Sequence, residues 1–117
     1  MLDYGMFMKN IRKVKNVTLQ SLANKLDVSV SFLSLLENGK KQIPLEYVNR
    51  ISDALHLNDE EKKQLENSIL ISNKKMIIEL DNLSNNQIEV SLLFASTIDE
   101  LNEQQVDKIK NIIKGDN

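Results

Sequence analysis

The chain has 117 residues and contains no cysteine, no tryptophan, one proline, three glycines and one histidine. Without cysteine it can form neither a disulfide nor a thiolate zinc site, and its lone histidine has no clustered partner ligands. No apolar run approaches the roughly 18 residues that a membrane-spanning helix needs, and no signal-peptide core is present. We therefore expect a cytoplasmic protein that needs no cofactor and has no membrane partner.

Catalytic motifs are missing as well. The sequence has no glycine-rich phosphate loop, no carboxylate pair at a predicted cleft and no activated nucleophile. The acidic pairs Glu60-Glu61 and Asp99-Glu100 stand where helices are predicted to begin, and the helix dipole favours acids there. We therefore expect that the chain is not an enzyme.

Charge is unevenly distributed along the chain, whose net charge is −2. Residues 1–57 carry eight Lys or Arg and five Asp or Glu, a net charge of +3. Residues 58–117 carry seven Lys and twelve Asp or Glu, a net charge of −5. A basic first half suits contact with phosphates, and an acidic second half should keep non-specific DNA binding weak.

The stretch from Thr18 to Lys41 predicts two short helices joined by a tight turn. Thr18 and Ser29 are good N-caps, and Asp27 stands where the turn must fall. Asn38-Gly39 should end the second helix. Apolar residues recur at helical spacing and give each helix an inward face. The predicted inward residues are Leu19, Leu22, Ala23, Leu26, Leu33 and Leu36.

This stretch resembles the Cro/repressor-type helix-turn-helix of the XRE family, and the residues that carry the resemblance are TLQSLANKLDVSVSFLSLLENGK. The most specific part extends from Ser31 to Gly39, and the resemblance covers roughly residues 7–57. It implies an all-α fold, a five-helix lambda-repressor-like domain whose recognition helix, residues 29–37, enters the major groove of double-stranded DNA. A helical hairpin whose polar face is merely solvated is the alternative.

Candidate contact residues follow from this placement. The base-reading candidates on the outer face of the second helix are Val30, Ser31 and Ser34, with Phe32 and Leu35 beside them. That face offers no Gln, Asn or Arg for bidentate base contacts, so specificity should lean on methyl contacts and DNA shape. The candidates for DNA-backbone contacts, which the resemblance places around the motif and its following loop, are Thr18, Gln20, Ser29, Asn38, Lys40 and Lys41.

Three further helices complete the predicted domain over residues 1–72. The resemblance implies that the first of them is joined to the recognition helix by an ion pair between Arg12 and Glu37.

The first helix should be capped by Asp3, run to about Lys15 and turn Phe7, Ile11 and Val14 inward. The fourth should run from about Leu45 to Leu55 with Val48, Ile51 and Leu55 inward. The fifth should follow a capping box of Asn58 and Glu61, run to about Ser72 and turn Leu65 and Ile69 inward.

Residues 73–117 form the predicted C-terminal segment. Its helices should run from about Asn85 to Thr97 and from a cap at Asn102 to Gly115, whereas 76–80 fits an extended or a helical conformation. The segment has more apolar surface than two short helices can bury, so it either packs back on the first domain or forms a homodimer. The family plan implies the dimer. The dimerisation candidates are Leu92, Leu93, Phe94, Val106, Ile109 and Ile113.

Three functions fit these predictions. The first is a repressor of a phage, of a mobile element or of its own operon, which binds a double-stranded DNA operator as a dimer. The second is an antitoxin that represses its own operon and binds a toxin, or another regulatory protein, through the acidic C-terminal segment. The third is a protein-interaction adaptor that has kept the fold and lost DNA binding.

Overall fold

The computed structural model describes residues 1–115, which contain seven α-helices, one 3-10 helix and no β-strand. The predicted all-α fold is confirmed. The helices are α1 (Tyr4–Lys15), α2 (Leu19–Leu26), α3 (Val30–Glu37), α4 (Tyr47–Leu55), α5 (Asp59–Asn73), α6 (Asn85–Thr97) and α7 (Glu103–Lys114), with the 3-10 turn at Ile98–Glu100. The chain forms two compact units, the first being Met1–Met76 and the second beginning at Ile77.

Local side chains explain where most helices begin. Six helices start behind a residue whose side-chain oxygen accepts the backbone N–H three positions on. These N-caps are Asp3, Thr18, Ser29, Asn58, Ser84 and Asn102. The exception is α4, which begins at Tyr47 rather than at the predicted Leu45. A turn precedes it, in which the Tyr47 N–H donates to the Pro44 carbonyl at 3.0 Å.

Helix ends follow a second local rule. Four helices close on a non-glycine residue in the left-handed conformation, with φ between 53° and 56°. These residues are Asn16, Asp27, His56 and Lys74. Asp27 forms the turn between α2 and α3, as the sequence predicted. After it, the Val28 N–H donates to the Ala23 carbonyl at 3.0 Å, and the Val28 side chain packs against the core.

The core of the first unit is formed by all five of its helices. Helix α1 packs on α3 and α5, α2 packs on α3 and α4, and α4 packs on α5. The fully buried large side chains include Tyr4, Met8, Leu22, Leu33, Leu36, Ile51, Leu65 and Ile69. The first unit therefore has an apolar core of its own.

The predicted inward position of Val14 is wrong, because its side chain is 74% exposed. The buried line of α1 runs through Met8 and Ile11, and one turn further at 100° per residue it meets Lys15. The Lys15 ammonium lies 3.2 Å from the Glu61 carboxylate. The last turn of α1 therefore faces α5 with an ion pair, while Val14 faces solvent.

The second unit lacks buried side chains in its helices. No residue of α6 or α7 is buried, although α6 carries apolar side chains on more than one side. The stretch before them, residues 75–80, adopts neither helix nor strand. Of the extended and helical conformations that the sequence left open for 76–80, the helical one is therefore wrong. None of the described helices is long and apolar enough to cross a membrane.

Candidate DNA-binding surface

Helix α3 is anchored by one face and exposed on the other. Leu33 and Leu36 are each 1% exposed and fix the helix on the core. Val30 and Phe32, two of the base-reading candidates, are partly buried and pack against the same core. The other candidates, Ser31, Ser34 and Leu35, therefore supply the outer face.

One exposed face of α3 continues into the residue that ends the helix. Ser31, Ser34, Leu35 and Asn38 recur at i, i+3, i+4 and i+7 and so share this face, which we call the readout face. The Asn38 side-chain Nδ2 donates to Ser34 Oγ at 3.2 Å. The face therefore presents two hydroxyls, one isobutyl group and the Asn38 amide, so the expectation that it carries no Asn is wrong.

The chain leaves α3 through a tight glycine turn. Gly39 has φ of 71°, the left-handed conformation that favours glycine. The Gly39 N–H donates to the Leu36 carbonyl at 3.2 Å, and the Lys40 N–H donates to the Leu35 carbonyl at 2.9 Å. These two hydrogen bonds close the helix. They place Lys40 and Lys41, both exposed, directly beside its end.

Aromatic and cationic side chains support the motif from behind. The ring centres of Phe32 and Tyr47 lie 6.2 Å apart. The Lys41 ammonium lies 5.7 Å from the centre of the Phe32 ring. The Arg50 guanidinium lies 5.0 Å from the centre of the Tyr47 ring. Arg50 also donates to the Leu26 carbonyl at the end of α2. Phe32 is thus a support for Lys41 as well as a neighbour of the readout face.

Arg12 and Glu37 form a bidentate ion pair between α1 and the last residue of α3. Arg12 Nη2 donates to Glu37 Oε1 at 2.9 Å, and Arg12 Nε donates to Glu37 Oε2 at 3.2 Å. The Glu37 side chain is only 5% exposed and that of Arg12 17%. Because the planar guanidinium matches both carboxylate oxygens, the pair fixes orientation as well as distance.

Sequence reasoning missed Gly5, a residue of α1 against which the backbone of Glu37 at the end of α3 packs. A Cβ atom at Gly5 would collide with the Glu37 carbonyl oxygen and lie 3.2 Å from its carbon. Beside it, Tyr4 is fully buried, and burial together with the Glu37 charge raises the pKa of its phenol. The burial of Tyr4 could have been predicted, because the buried residues of α1 recur at i, i+3, i+4 and i+7, at Tyr4, Phe7, Met8 and Ile11.

Sequence reasoning also missed the attachment of the loop after α3. The side chain of Asn73, the last residue of α5, bonds to both backbone groups of Ile43 at 2.8 Å. The Tyr4 N–H donates to Ser72 Oγ at 2.8 Å. The end of α5 therefore holds both the start of α1 and the loop that carries Lys40.

The remaining candidates are distributed as follows. All six backbone-contact candidates are exposed. Thr18 and Ser29 use their side-chain oxygens as caps, and Gln20 donates to Asn24 Oδ1 at 3.3 Å. Among the dimerisation candidates, Leu92, Leu93 and Ile113 are exposed and Phe94, Val106 and Ile109 are half-buried. Within residues 1–115, no three His, Asp or Glu side chains group as a metal site.

Comparison with known proteins identifies the region that carries this surface. A family model described as helix-turn-helix matches residues 8–62. The match runs from the first half of α1 into the start of α5 and includes the turn at Asp27 and the whole readout face. No curated protein and no solved structure matches the chain.

Proposed function

We propose that the chain is a repressor of the XRE family that binds its operator as a dimer. The helix-turn-helix family model that matches residues 8–62 supports a DNA-binding transcriptional regulator. The observation that carries this proposal is the readout face of α3, which is exposed beside two lysines while the opposite face is anchored in the core. A protein seated on a promoter in this way blocks RNA polymerase. The regulated genes would belong to a phage, to a mobile element or to its own operon.

Two classes of contact would hold the first unit on DNA. The readout face enters the major groove and contacts base edges. Lys40 and Lys41 meet phosphates beside the groove, and the exposed N-termini of α2 and α3, behind Thr18 and Ser29, offer backbone N–H groups to further phosphates. The phosphate contacts set affinity and register, and the bases set sequence preference.

The distribution of charge along the chain supports the same distinction between phosphate contacts and base contacts. Residues 1–57 carry a net charge of +3 and residues 58–117 a net charge of −5. The lysines of the loop raise the local concentration of the protein on DNA. The acidic second half repels phosphates, which weakens binding to unrelated sequences more than binding that depends on base contacts.

The second unit supports the dimer. Leu92 and Leu93 are 60% and 58% exposed, and Ile113 is 78% exposed. Helix α6 carries one charged residue, Glu89, among apolar residues on several sides, so water is a poor environment for it. A second copy that covers these side chains would bury them and would bring two recognition helices to half-sites about one DNA turn apart.

The same uncovered apolar surface favours one alternative function. An acidic segment with exposed leucines also suits a basic partner protein, which is the antitoxin hypothesis. The two hypotheses differ in the state of the isolated chain, because a repressor of the first kind is a dimer without any partner. A neighbouring gene that encodes a toxin would favour the alternative.

A gel-shift titration with the DNA upstream of the chain's own gene tests the proposal. We expect a retarded complex that survives excess unrelated duplex, with two chains per DNA. A transcription assay on the same DNA should then give less transcript as the protein is added. If the chain binds this DNA no better than a scrambled duplex of equal length, repression of its own operon is wrong. If it binds no duplex at all, the adaptor hypothesis replaces the proposal.

A further inference from the structure

Leu35 is the one large apolar side chain on the readout face. It is 39% exposed, whereas its neighbours in sequence, Ser34 and Leu36, are half-buried and buried. Val30 and Phe32 are partly buried and pack against the core, whereas Leu35 is exposed. Leu35 is therefore accessible at the middle of this face.

Polar side chains surround Leu35 on both sides along the helix. Ser31 lies one turn before it and Asn38 nearly one turn after it. Ser34 Oγ already accepts a hydrogen bond from Asn38, so its O–H remains available as a donor. The face thus combines an apolar group and hydroxyl donors at Leu35 with the Asn38 amide at the end of the helix.

Among the four bases, thymine matches the leucine with its flanking hydroxyl donors, and the Asn38 amide suits the adenine of an A·T pair. At its major-groove edge thymine presents the O4 acceptor beside the C5-methyl group. Adenine and guanine lack a methyl group, and cytosine presents an amino donor without one. A leucine flanked by donors is therefore complementary to thymine.

We propose that Leu35 recognises the C5-methyl group of a thymine in each operator half-site, with the serine hydroxyls donating to the acceptors around it. This inference rests on the proposed function and adds the base that the recognition helix prefers. Leu35 contacts the methyl group directly and is a specificity-determining residue.

Uracil substitution isolates the methyl group, because deoxyuridine keeps the O4 acceptor and the pairing of thymine and lacks only the methyl. The full-length protein is used to select duplexes from a randomised pool, and each thymine of a selected duplex is replaced in turn. At one position per half-site we expect about a fourfold loss of affinity, the factor for one buried methyl group of about 0.8 kcal/mol.

Two variants test the assignment to Leu35. Leu35→Ala should bind the thymine and uracil duplexes equally at that position. Leu45→Ala, which truncates a leucine of similar exposure, 44%, outside α3, should retain the fourfold difference. Circular dichroism verifies that both variants are folded.

The outcomes separate this inference from the proposed function. If the wild-type protein selects DNA but no uracil substitution weakens binding, the thymine inference is overturned and the DNA-binding function stands. If the difference persists in Leu35→Ala, another side chain reads the methyl group and the inference is equally wrong. If the wild-type protein selects no sequence, the proposed function fails and the inference fails with it.

Discussion

The side-chain amide of Asn73 bonds to both backbone groups of Ile43, accepting from its N–H and donating to its carbonyl at 2.8 Å each. The two residues are 30 positions apart, and the Ile43 side chain is 2% exposed. One polar side chain thus fixes the loop that begins with Lys40 and Lys41. The position of these lysines depends on the end of α5.

The first prediction concerns this link. Asn73→Ala should lower the free energy of unfolding by about 1–3 kcal/mol, since two buried backbone groups lose their partner. It should also weaken operator binding, because the loop lysines lose their fixed position. Urea unfolding and DNA titration measure the two effects. The matched control is Asn67→Ala, an exposed asparagine of the same helix, and equal behaviour of the two variants would refute the role of Asn73.

The second prediction concerns the ion pair of Arg12 and Glu37. Arg12→Met or Glu37→Gln should each destabilise the fold by about 3 kcal/mol, because the remaining partner is left buried without its counterpart. A double-mutant cycle should give clear coupling between them. Glu46→Gln, which removes an exposed pair with Arg50 at 3.9 Å, should cost less than about 1 kcal/mol. Zero coupling in the first cycle would show that the pair does not stabilise the protein.

The third prediction concerns pH. The Asn58 backbone N–H, and after it the Lys15 side chain, hold the pKa of Glu61 below its ordinary value of 4.5. Because the folded state favours the charged carboxylate, its contribution is present above pH 4.5 and disappears as pH falls through the lowered pKa. Glu61→Gln keeps a capping side chain without this titration. The Tm advantage of the wild type over Glu61→Gln should therefore shrink as the solution is acidified, and a constant difference would contradict the assignment.

The fourth prediction concerns phosphate contacts. Lys40→Ala with Lys41→Ala should weaken binding to all duplexes alike and reduce the slope of log affinity against log salt by about 2 per subunit. Lys74→Ala with Lys75→Ala is the matched control, an adjacent exposed lysine pair that follows another helix end. An unchanged slope for the first double variant would show that these lysines do not meet phosphates.

Local chemistry explains which parts of the fold could be predicted from the sequence. The caps at Thr18, Ser29 and Asn58 act within three or four residues, and the bounds of their helices followed directly. The left-handed turn at Asp27 is local in the same sense. The ion pair of Arg12 and Glu37 spans 25 positions, and only the family resemblance suggested it.

Features that depend on packing could not be predicted in this way. Val14 continues an apolar spacing, yet the last turn of α1 faces α5 through Lys15, and Val14 faces solvent. Gly5 matters because the backbone of Glu37 approaches it, and no spacing rule reveals an approach between distant segments. The bond from Asn73 to Ile43 likewise exists only after α5 has docked.

The central claim is that the first unit reads DNA and the second unit pairs two copies. Removing residues 77–117 tests it, because the cut leaves Asn73 and the whole core of the first unit in place. The shortened chain should remain folded and monomeric. The full-length variant Leu93→Glu changes a side chain of α6 that is 58% exposed, and it should also be monomeric.

Light scattering combined with titration of a palindromic operator is the most direct measurement. We predict a full-length dimer and a shortened monomer whose operator affinity is lower by about 10²–10⁴-fold, the gain that linking two binding modules typically provides. Binding to unrelated DNA should change far less, since an acidic segment has been removed. A full-length chain that is monomeric both free and on DNA, or a shortened chain that binds the operator equally well, would contradict the account.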